Sequence, residues 1–240
     1  MRAVLDLILP PRCRICDTST VSEPIAWVCR DCWLDIDYVI PPICYQCGQP
    51  FAAPPEGIAS PMHRCGDCLQ DPPPYERARA VGLYRGAFRS IIHTMKYQRV
   101  YGLVRPLAEL LQAQFAYHWG DSMPDALVPV PLHRSRLRQR EFDQALGLSH
   151  MLSRSLDLPL WADVLVRHRN TTSQVGLKEA ARRHNVRGAF RVQAPGRCEG
   201  KALLLIDDVY TTGATVKECA HVLRRAGAAR VDVYTLARVE

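Results

Sequence analysis

Leu203-Leu204-Leu205-Ile206-Asp207-Asp208-Val209-Tyr210-Thr211-Thr212-Gly213-Ala214-Thr215 decides how the rest of this chain is read. Four consecutive apolar residues have the length of a buried strand, and two adjacent carboxylates followed by a hydroxyl-rich loop end it. A helical pattern begins at once: Val216, Cys219, Ala220, Leu223 and Ala226 share one face, and Gly227 stops it. Strand, paired acids, glycine-containing loop and helix form the layout of a phosphate-ribose site. Amide N–H groups of the loop and of the first helical turn can point at a phosphate, and the helix dipole favours the anion. Thr211, Thr212 and Thr215 add hydroxyl donors around Gly213 and Ala214. Asp207 and Asp208, at the carboxyl end of the strand, are placed to accept from ribose hydroxyls or to hold Mg2+.

Outward from that stretch, composition narrows the class. The chain has 240 residues, enough for one large domain or for a small domain beside a larger one. Thirty-one Lys and Arg against 24 Asp and Glu give a net charge of +7, which suits an anionic ligand or a nucleic acid; an ordinary basic surface reads the same on charge alone. No apolar run is long enough to span a bilayer, so no membrane insertion is expected. Val4 to Leu9 is short, contains Asp6 and runs into Pro10-Pro11 rather than a small-residue cleavage site. It is not read as a signal peptide, and a cytoplasmic protein is expected.

Eight of the ten cysteines form four Cys-x-x-Cys pairs in the first 68 residues: Cys13 and Cys16, Cys29 and Cys32, Cys44 and Cys47, Cys65 and Cys68. In a reducing compartment such pairs serve as thiolate ligands, because two sulfurs on one tight knuckle can face the same Zn2+. The simplest reading is two successive zinc ribbons, each closed by four sulfurs and therefore structural; spacing alone leaves a cross-braced pairing open. So short a segment cannot stabilise itself by burial, and Zn2+ supplies the missing folding energy. Trp27, Trp33, Tyr38 and Tyr45 are read as filling the ribbon cores, with base stacking as the alternative. Pro72-Pro73-Pro74 reads as a stiff linker, which divides the chain into a double zinc-ribbon module at 1–75 and a second domain at 76–240.

Within the second domain, Ala78 to Tyr84 reads as an entering strand, and Phe88, Ile91, Ile92 and Met95 give a helix over Ala87 to Tyr97. Another helix is expected from Leu103 to His118, and a strand from Asp125 that must end near Pro129 and Pro131. His133, Arg134, Arg136, Arg138 and Arg140 follow as a positive run suited to a diphosphate or a nucleic-acid backbone. Phe142 to Leu156 is an amphipathic helix, and Val164 to Val166 a strand. Arg167 to Phe190 is long and polar with few apolar anchors, the pattern of a covering loop. Val231 to Leu236 is a last buried strand, and Cys198 and Cys219 are read as core or surface thiols.

The opening stretch resembles the phosphoribosyl pyrophosphate (PRPP) signature of type I phosphoribosyltransferases. That resemblance implies an α/β fold, a mainly parallel sheet flanked by helices, beside the small zinc-ribbon domain. It also implies that Val130, Pro131, Leu132, His133, Arg136 and Arg140 form the loop receiving the leaving pyrophosphate. Over nearly the whole chain the order of blocks resembles the ComF family, also called GntX: the four cysteine pairs, Tyr84-Arg85-Gly86, Lys96-Tyr97, Val128 to Leu132, Phe142 with Gln144, Gly188-Ala189-Phe190 and the Asp-Asp block. Where that family has Arg-Gly-Phe-Asn-Gln, this chain has Arg140-Glu141-Phe142-Asp143-Gln144, so a flexible position and a neutral amide are lost from the turn.

Membership implies a retained PRPP site, an association with natural transformation, contact with single-stranded DNA and a place beside a DNA-translocating ATPase. The function expected is therefore a PRPP-site protein acting in DNA uptake. The alternative is an active phosphoribosyltransferase that moves phosphoribosyl from PRPP to an unknown acceptor with Mg2+, Asp207 and Asp208 being its catalytic candidates. A glutamine-hydrolysing role is not expected, because Cys13 belongs to a cysteine pair.

Overall fold

The structure is a computed structural model that describes residues 11–21, 23–51, 62–98, 100–120, 122–133, 135, 137, 138, 142–170 and 185–240. Its centre is a parallel four-stranded sheet of β1 (Ala78–Leu83), β2 (Ala126–Pro129), β5 (Ala202–Tyr210) and β6 (Arg230–Arg238), in the order β1-β6-β5-β2. A two-stranded antiparallel hairpin, β3 (Leu165–Arg167) with β4 (Phe190–Val192), lies apart from it.

The apolar run of the opening stretch is the interior of β5, paired on one side with β6 and on the other with β2, and Leu203 to Ile206 are fully buried. A strand covered on both faces needs apolar residues at every position, which is why this one shows no alternation. Leu204 and Ile206 join a cluster with α3 (Gly86–Tyr97), α4 (Val104–Trp119) and α5 (Gln144–Leu156), through Phe88, Ile91, Leu107, Leu111, Leu148 and Leu152. Leu203 and Leu205 face the opposite way, onto Val216, Cys219 and Leu223 of α6 (Ala214–Arg225) and onto Leu165 and Phe190 of the hairpin. Cys198 and Cys219 are both core thiols.

Pro129 ends β2 at no cost. The chain on the far side of β2 takes Leu127 through Leu127 N–H to Pro159 O and Trp161 N–H to Leu127 O, and the next amide toward β5 is that of Val130, which donates to Ile206 O. The missing proline donor thus points away from the sheet's own ladder.

The cysteine-rich segment, which contains α1 (Arg30–Leu34) and α2 (Gly66–Gln70), is bound to the sheet through its backbone. Val39 N–H donates to Val81 O, Leu83 N–H to Asp37 O and Ala78 N–H to Gln46 O, which pairs the outer edge of β1. Val28 and Ile36 enter the same core cluster as α3 and α4. The four aromatics expected inside the ribbons are used largely to dock them: Trp27 lies on Gly102, Trp33 packs against the main core, and the Arg79 guanidinium sits 6.0 Å from the Tyr45 ring, while Tyr38 is exposed. A ribbon this small has no interior to hide an indole, so the larger domain provides the surface.

Gly102 is the tightest test of that docking, because a Cβ there would collide with Trp27 Cζ3 and Cη2. Gly102→Ala is expected to lower stability by about 1–3 kcal/mol, the range for overpacking, and to shift the tryptophan emission. An unchanged melting temperature and spectrum would contradict it.

Candidate functional site

β5 continues past Ile206, so both carboxylates belong to the strand rather than to the loop after it. Asp208 follows Leu204 and Ile206 toward α3, where its Oδ1 meets Lys96 Nζ at 2.7 Å, each side chain being 13% exposed. Asp207 Oδ1 accepts from the Asp208 amide at 2.8 Å. Burial, then the adjacent Asp208 charge, push the Asp207 carboxyl up to about 8, although Lys96 pulls the other way. Burial also works against the Lys96 ammonium, yet Asp208 and Asp207 outweigh it and hold its pKa above the ordinary lysine value. The Lys96–Asp208 ion pair is thus largely buried at the carboxyl end of the central strand, with the half-buried Asp207 next to it in the chain.

Lys96 received no role from the sequence, although a signal was there. It stands four and eight residues beyond Ile92 and Phe88, on the buried face of α3. A lysine that continues an apolar stripe needs an anionic partner inside.

Thr211 and Thr212 lead from β5 to Gly213, which has φ +74° and begins α6. That left-handed residue lets the chain turn from the end of β5 into α6, with five residues between Asp208 and Ala214. Thr212 Oγ1 accepts from Ala214 N–H at 3.4 Å, and Gly213 O from Lys217 N–H at 2.8 Å. Gly213 and Ala214 are buried, with Thr211, Thr212 and Thr215 half-buried around them. Gly188 N–H donates to Glu218 Oε1 at 2.7 Å, so the returning arm of the expected covering loop is tied to α6. Residues 171–184, the middle of that loop, lie outside the described residues.

The second loop leaves β2 beside β5, Val130 N–H donating to Ile206 O. Val130 is buried, Pro131, Leu132 and His133 are half-buried, and His133 Nδ1 lies 2.8 Å from Ser135 Oγ. Arg134, Arg136, Arg140 and Glu141 lie outside the described residues, and Arg138 is exposed. Asp143, the departure noted in the sequence, is the N-cap of α5: its Oδ1 accepts from Leu146 N–H at 3.0 Å and its Oδ2 from Leu132 N–H at 3.3 Å. The carboxylate therefore ties the loop to the helix and takes the Leu132 amide. Burial raises the Asp143 pKa, and Asp208 adds to the rise against the bonds from Leu146 and Leu132.

The cysteines fall into two sequential sets, not cross-braced ones: Cys13, Cys16, Cys29 and Cys32, then Cys44, Cys47, Cys65 and Cys68, with all sulfurs of a set within 4.8 Å of one another. Cys16 Sγ and Cys29 Sγ are 3.5 Å apart, and Cys47 Sγ and Cys65 Sγ 3.7 Å, close to the roughly 3.8 Å edge of a tetrahedron with 2.3 Å Zn–S bonds. Ile15 N–H points at Cys13 Sγ, and the Cys47 and Cys65 amides at Cys44 Sγ, as thiolate ligands require. Both sets are consistent with structural Zn2+, which bound there would fix the fold of each knuckle. Among the described residues no third group of His, Cys, Asp or Glu closes in this way. Mg2+ at the acid pair would have to share its shell with a ligand's oxygens, a habit of that ion.

Comparison with known proteins places these features together. Residues 4–69 match the family described as double zinc ribbon domain, and residues 143–240 that described as phosphoribosyl transferase domain. The chain is 36% identical over 200 residues to DNA utilization protein YhgH of Escherichia coli (strain K12), covering 82% of this chain and 84% of the relative. It is 32% identical over 203 residues to Competence protein F of Haemophilus influenzae, covering 82% and 85%. To Competence protein ComFC of Bacillus subtilis it is 28% identical over 251 residues, covering 94% of each.

Two outcomes follow from the buried charges. Lys96→Met strands Asp208 and is expected to cost about 3 kcal/mol in urea unfolding, most of it recovered in the Lys96→Met, Asp208→Asn double variant. The Asp207 carboxyl, near 8 when folded and near its ordinary value when unfolded, contributes stability that is full below about pH 4 and lost as pH rises through about 8. Melting temperature should therefore fall more between pH 6 and pH 9 in the wild type than in Asp207→Asn. Parallel curves would contradict the assignment.

Proposed function

This chain belongs to the family of competence protein F, ComFC and YhgH, a double zinc ribbon joined to a phosphoribosyltransferase domain, and we propose that it binds PRPP at the end of β5 while handling DNA. The observation that carries the reading is the Asp207–Asp208 pair beside the left-handed Gly213 at the start of α6. In the bound state the 5′-phosphate of PRPP rests on the amides and hydroxyls of Thr211, Thr212, Gly213, Ala214 and Thr215, and the ribose hydroxyls face the acids. The diphosphate extends toward Val130 to His133, with Arg136 and Arg140 as its cationic partners. Mg2+ would be held by Asp207 or Asp208 and would screen the diphosphate charge.

Lys96 neutralises Asp208 before any ligand arrives, which keeps the pocket from repelling an anion with two bare carboxylates. The Leu132 amide is already satisfied by Asp143, so the loop relies on its other donors. An Asp207 proton held near 8 is what one expects of a site able to exchange protons around neutral pH, and it keeps phosphoribosyl transfer in view as the second reading. Residues 1–75 act as the zinc-ribbon unit and 76–240 as the PRPP unit.

The names of the relatives, DNA utilization protein and competence protein, support a role in DNA uptake, with single-stranded DNA as the partner and a DNA-translocating ATPase as a neighbour. No helix among the described residues is long and apolar enough to cross a membrane.

Calorimetry with PRPP and Mg2+ is expected to show binding that is lost in Asp207→Asn, Asp208→Asn while the fold survives. Unchanged affinity would reject the site. Pyrophosphate release, tested with nucleobases, amines and single-stranded DNA, would convert the reading from binder to enzyme. DNA affinity is expected to fall steeply with salt, and a flat salt dependence would contradict a phosphate-backbone contact.

A further inference from the structure

The second four-cysteine set lies against the same sheet that carries the phosphate loop, and a continuous line of buried polar groups joins the two. The knuckle Cys44 to Gly48 sits on β1: Gly48 has φ +73°, and a Cβ there would come within 2.6 Å of Ala78 O. Five bonds hold that knuckle. Gln46 O accepts from Ala78 N–H at 2.7 Å, and Gln46 Nε2 donates to Pro73 O and Tyr75 O at 3.2 Å each. Tyr45 O accepts from Arg79 Nη1 at 2.9 Å, and Cys47 O accepts from Arg238 Nη1 at 2.5 Å.

Arg238 ends β6 and is 4% exposed, and it also donates to Gln49 Oε1. Its guanidinium stands 5.1 Å from the centre of the Tyr210 ring. Tyr210 is the last residue of β5, and its hydroxyl lies 2.7 Å from the Tyr75 hydroxyl. The ring passes directly beneath Gly213, where a Cβ would meet Tyr210 Cζ at 2.6 Å. From the Cys47 carbonyl to Gly213 the path is therefore one guanidinium and one phenol, braced from the side by Tyr75, whose carbonyl returns to Gln46.

We infer that Arg238 and Tyr210 are positioning residues for the phosphate loop, and that through them the second zinc ribbon, but not the first, sets the geometry of Thr211 to Ala214. The consequence for affinity rests on the PRPP reading above; the mechanical link does not. Cys44, Cys47, Cys65 and Cys68 would hold Zn2+, which would fix the direction of the Cys47 carbonyl; that carbonyl orients the Arg238 fork, and the fork braces the ring under Gly213. The first set contacts the other side of the domain, through Trp27 on Gly102 and through Val28 and Ile36 in the core with α3 and α4. Loss of metal there leaves the strut in place. A loop of this kind needs its amides aligned before the anion arrives, so loosening the ring beneath it should show in affinity before it shows in the fold.

Hydrogen–deuterium exchange on the full-length, zinc-loaded chain separates these ideas. Arg238→Met should speed exchange of the 211–214 amides about tenfold, as expected for the loss of a buried cation–π contact and its bond, while 203–206 stay protected. Arg238→Lys, which keeps a cation and one donor, should restore most of the protection, and both variants should retain two zinc ions per chain by elemental analysis. Cys65→Ser should reproduce the Arg238→Met pattern and add nothing to it in the double variant, whereas Cys16→Ser should leave 211–214 unchanged. PRPP titrations run on the same samples should weaken in parallel with loop exchange. Equal effects from Cys16→Ser and Cys65→Ser, or a loop indifferent to Arg238→Met, would overturn the strut. Normal exchange changes with no PRPP binding even in the wild type would instead overturn the PRPP reading and leave the strut standing.

Discussion

Holding two adjacent acids at the end of a central strand, Asp208 buried and Asp207 half-buried, is the constraint around which this molecule is built. An unpaired buried carboxylate costs several kcal/mol after relaxation, and two together cost more because each raises the other. The chain answers with one ammonium. Lys96, in the last turn of α3, reaches Asp208 at the carboxyl end of β5, and α3 is held on the sheet by Phe88, Ile91 and Ile92, which share one core cluster with Val81 of β1 and with Leu204 and Ile206. Asp207 is left with the Asp208 amide and a proton that it gives up only near pH 8. The apolar core and the polar pocket are thus one design, the first aiming the second.

The surrounding pieces are fixed relative to that pocket by bonds that few residue patterns announce. Asp143 stitches the Leu132 amide to the start of α5, and Gly188 stitches the hairpin to Glu218 on α6. The cysteine-rich segment covers the outer edge of β1 with main-chain pairs at Val39, Leu83 and Ala78, which removes an exposed edge that would otherwise invite pairing with another chain. Its two four-cysteine clusters make this possible, since a segment so short holds its shape through its ligands.

What could be read from residue order alone follows the same physics. Leu203 to Ile206 announced a buried strand because both faces are covered, and the glycine and threonines after the acids announced the turn into α6 because only such residues suit that geometry. The helix over 86–97 was legible to within a residue from its 3.6-residue period. The cysteine spacing gave two four-sulfur sets but not their order, since cross-braced and sequential pairings share the same intervals. Lys96 is visible as a charge on an apolar stripe, but its partner lies 112 residues further on. Asp143 reads as the loss of a neutral amide from a turn; its bond from Leu146 N–H is a local N-cap, but its bond from Leu132 N–H depends on a loop eleven residues away that spacing does not locate. Trp27 and Trp33 read as ribbon core, because nothing in a local pattern says that a small module borrows its neighbour's surface. Arg238 and Tyr210 sit in runs that look like ordinary strand ends, and their partners Cys47 and Tyr75 are 191 and 135 residues away.

The central claim is that the acid pair, the left-handed glycine and the start of α6 form one site for a phosphorylated ribose. A crystal structure of the zinc-loaded full-length chain grown with Mg2+ and PRPP tests it most directly. The account predicts the 5′-phosphate on the amides of Thr211 to Thr215 and the ribose hydroxyls against Asp207 and Asp208, with Lys96 still beside Asp208. Ligand density elsewhere on the protein, or an empty loop at saturating PRPP, would contradict it.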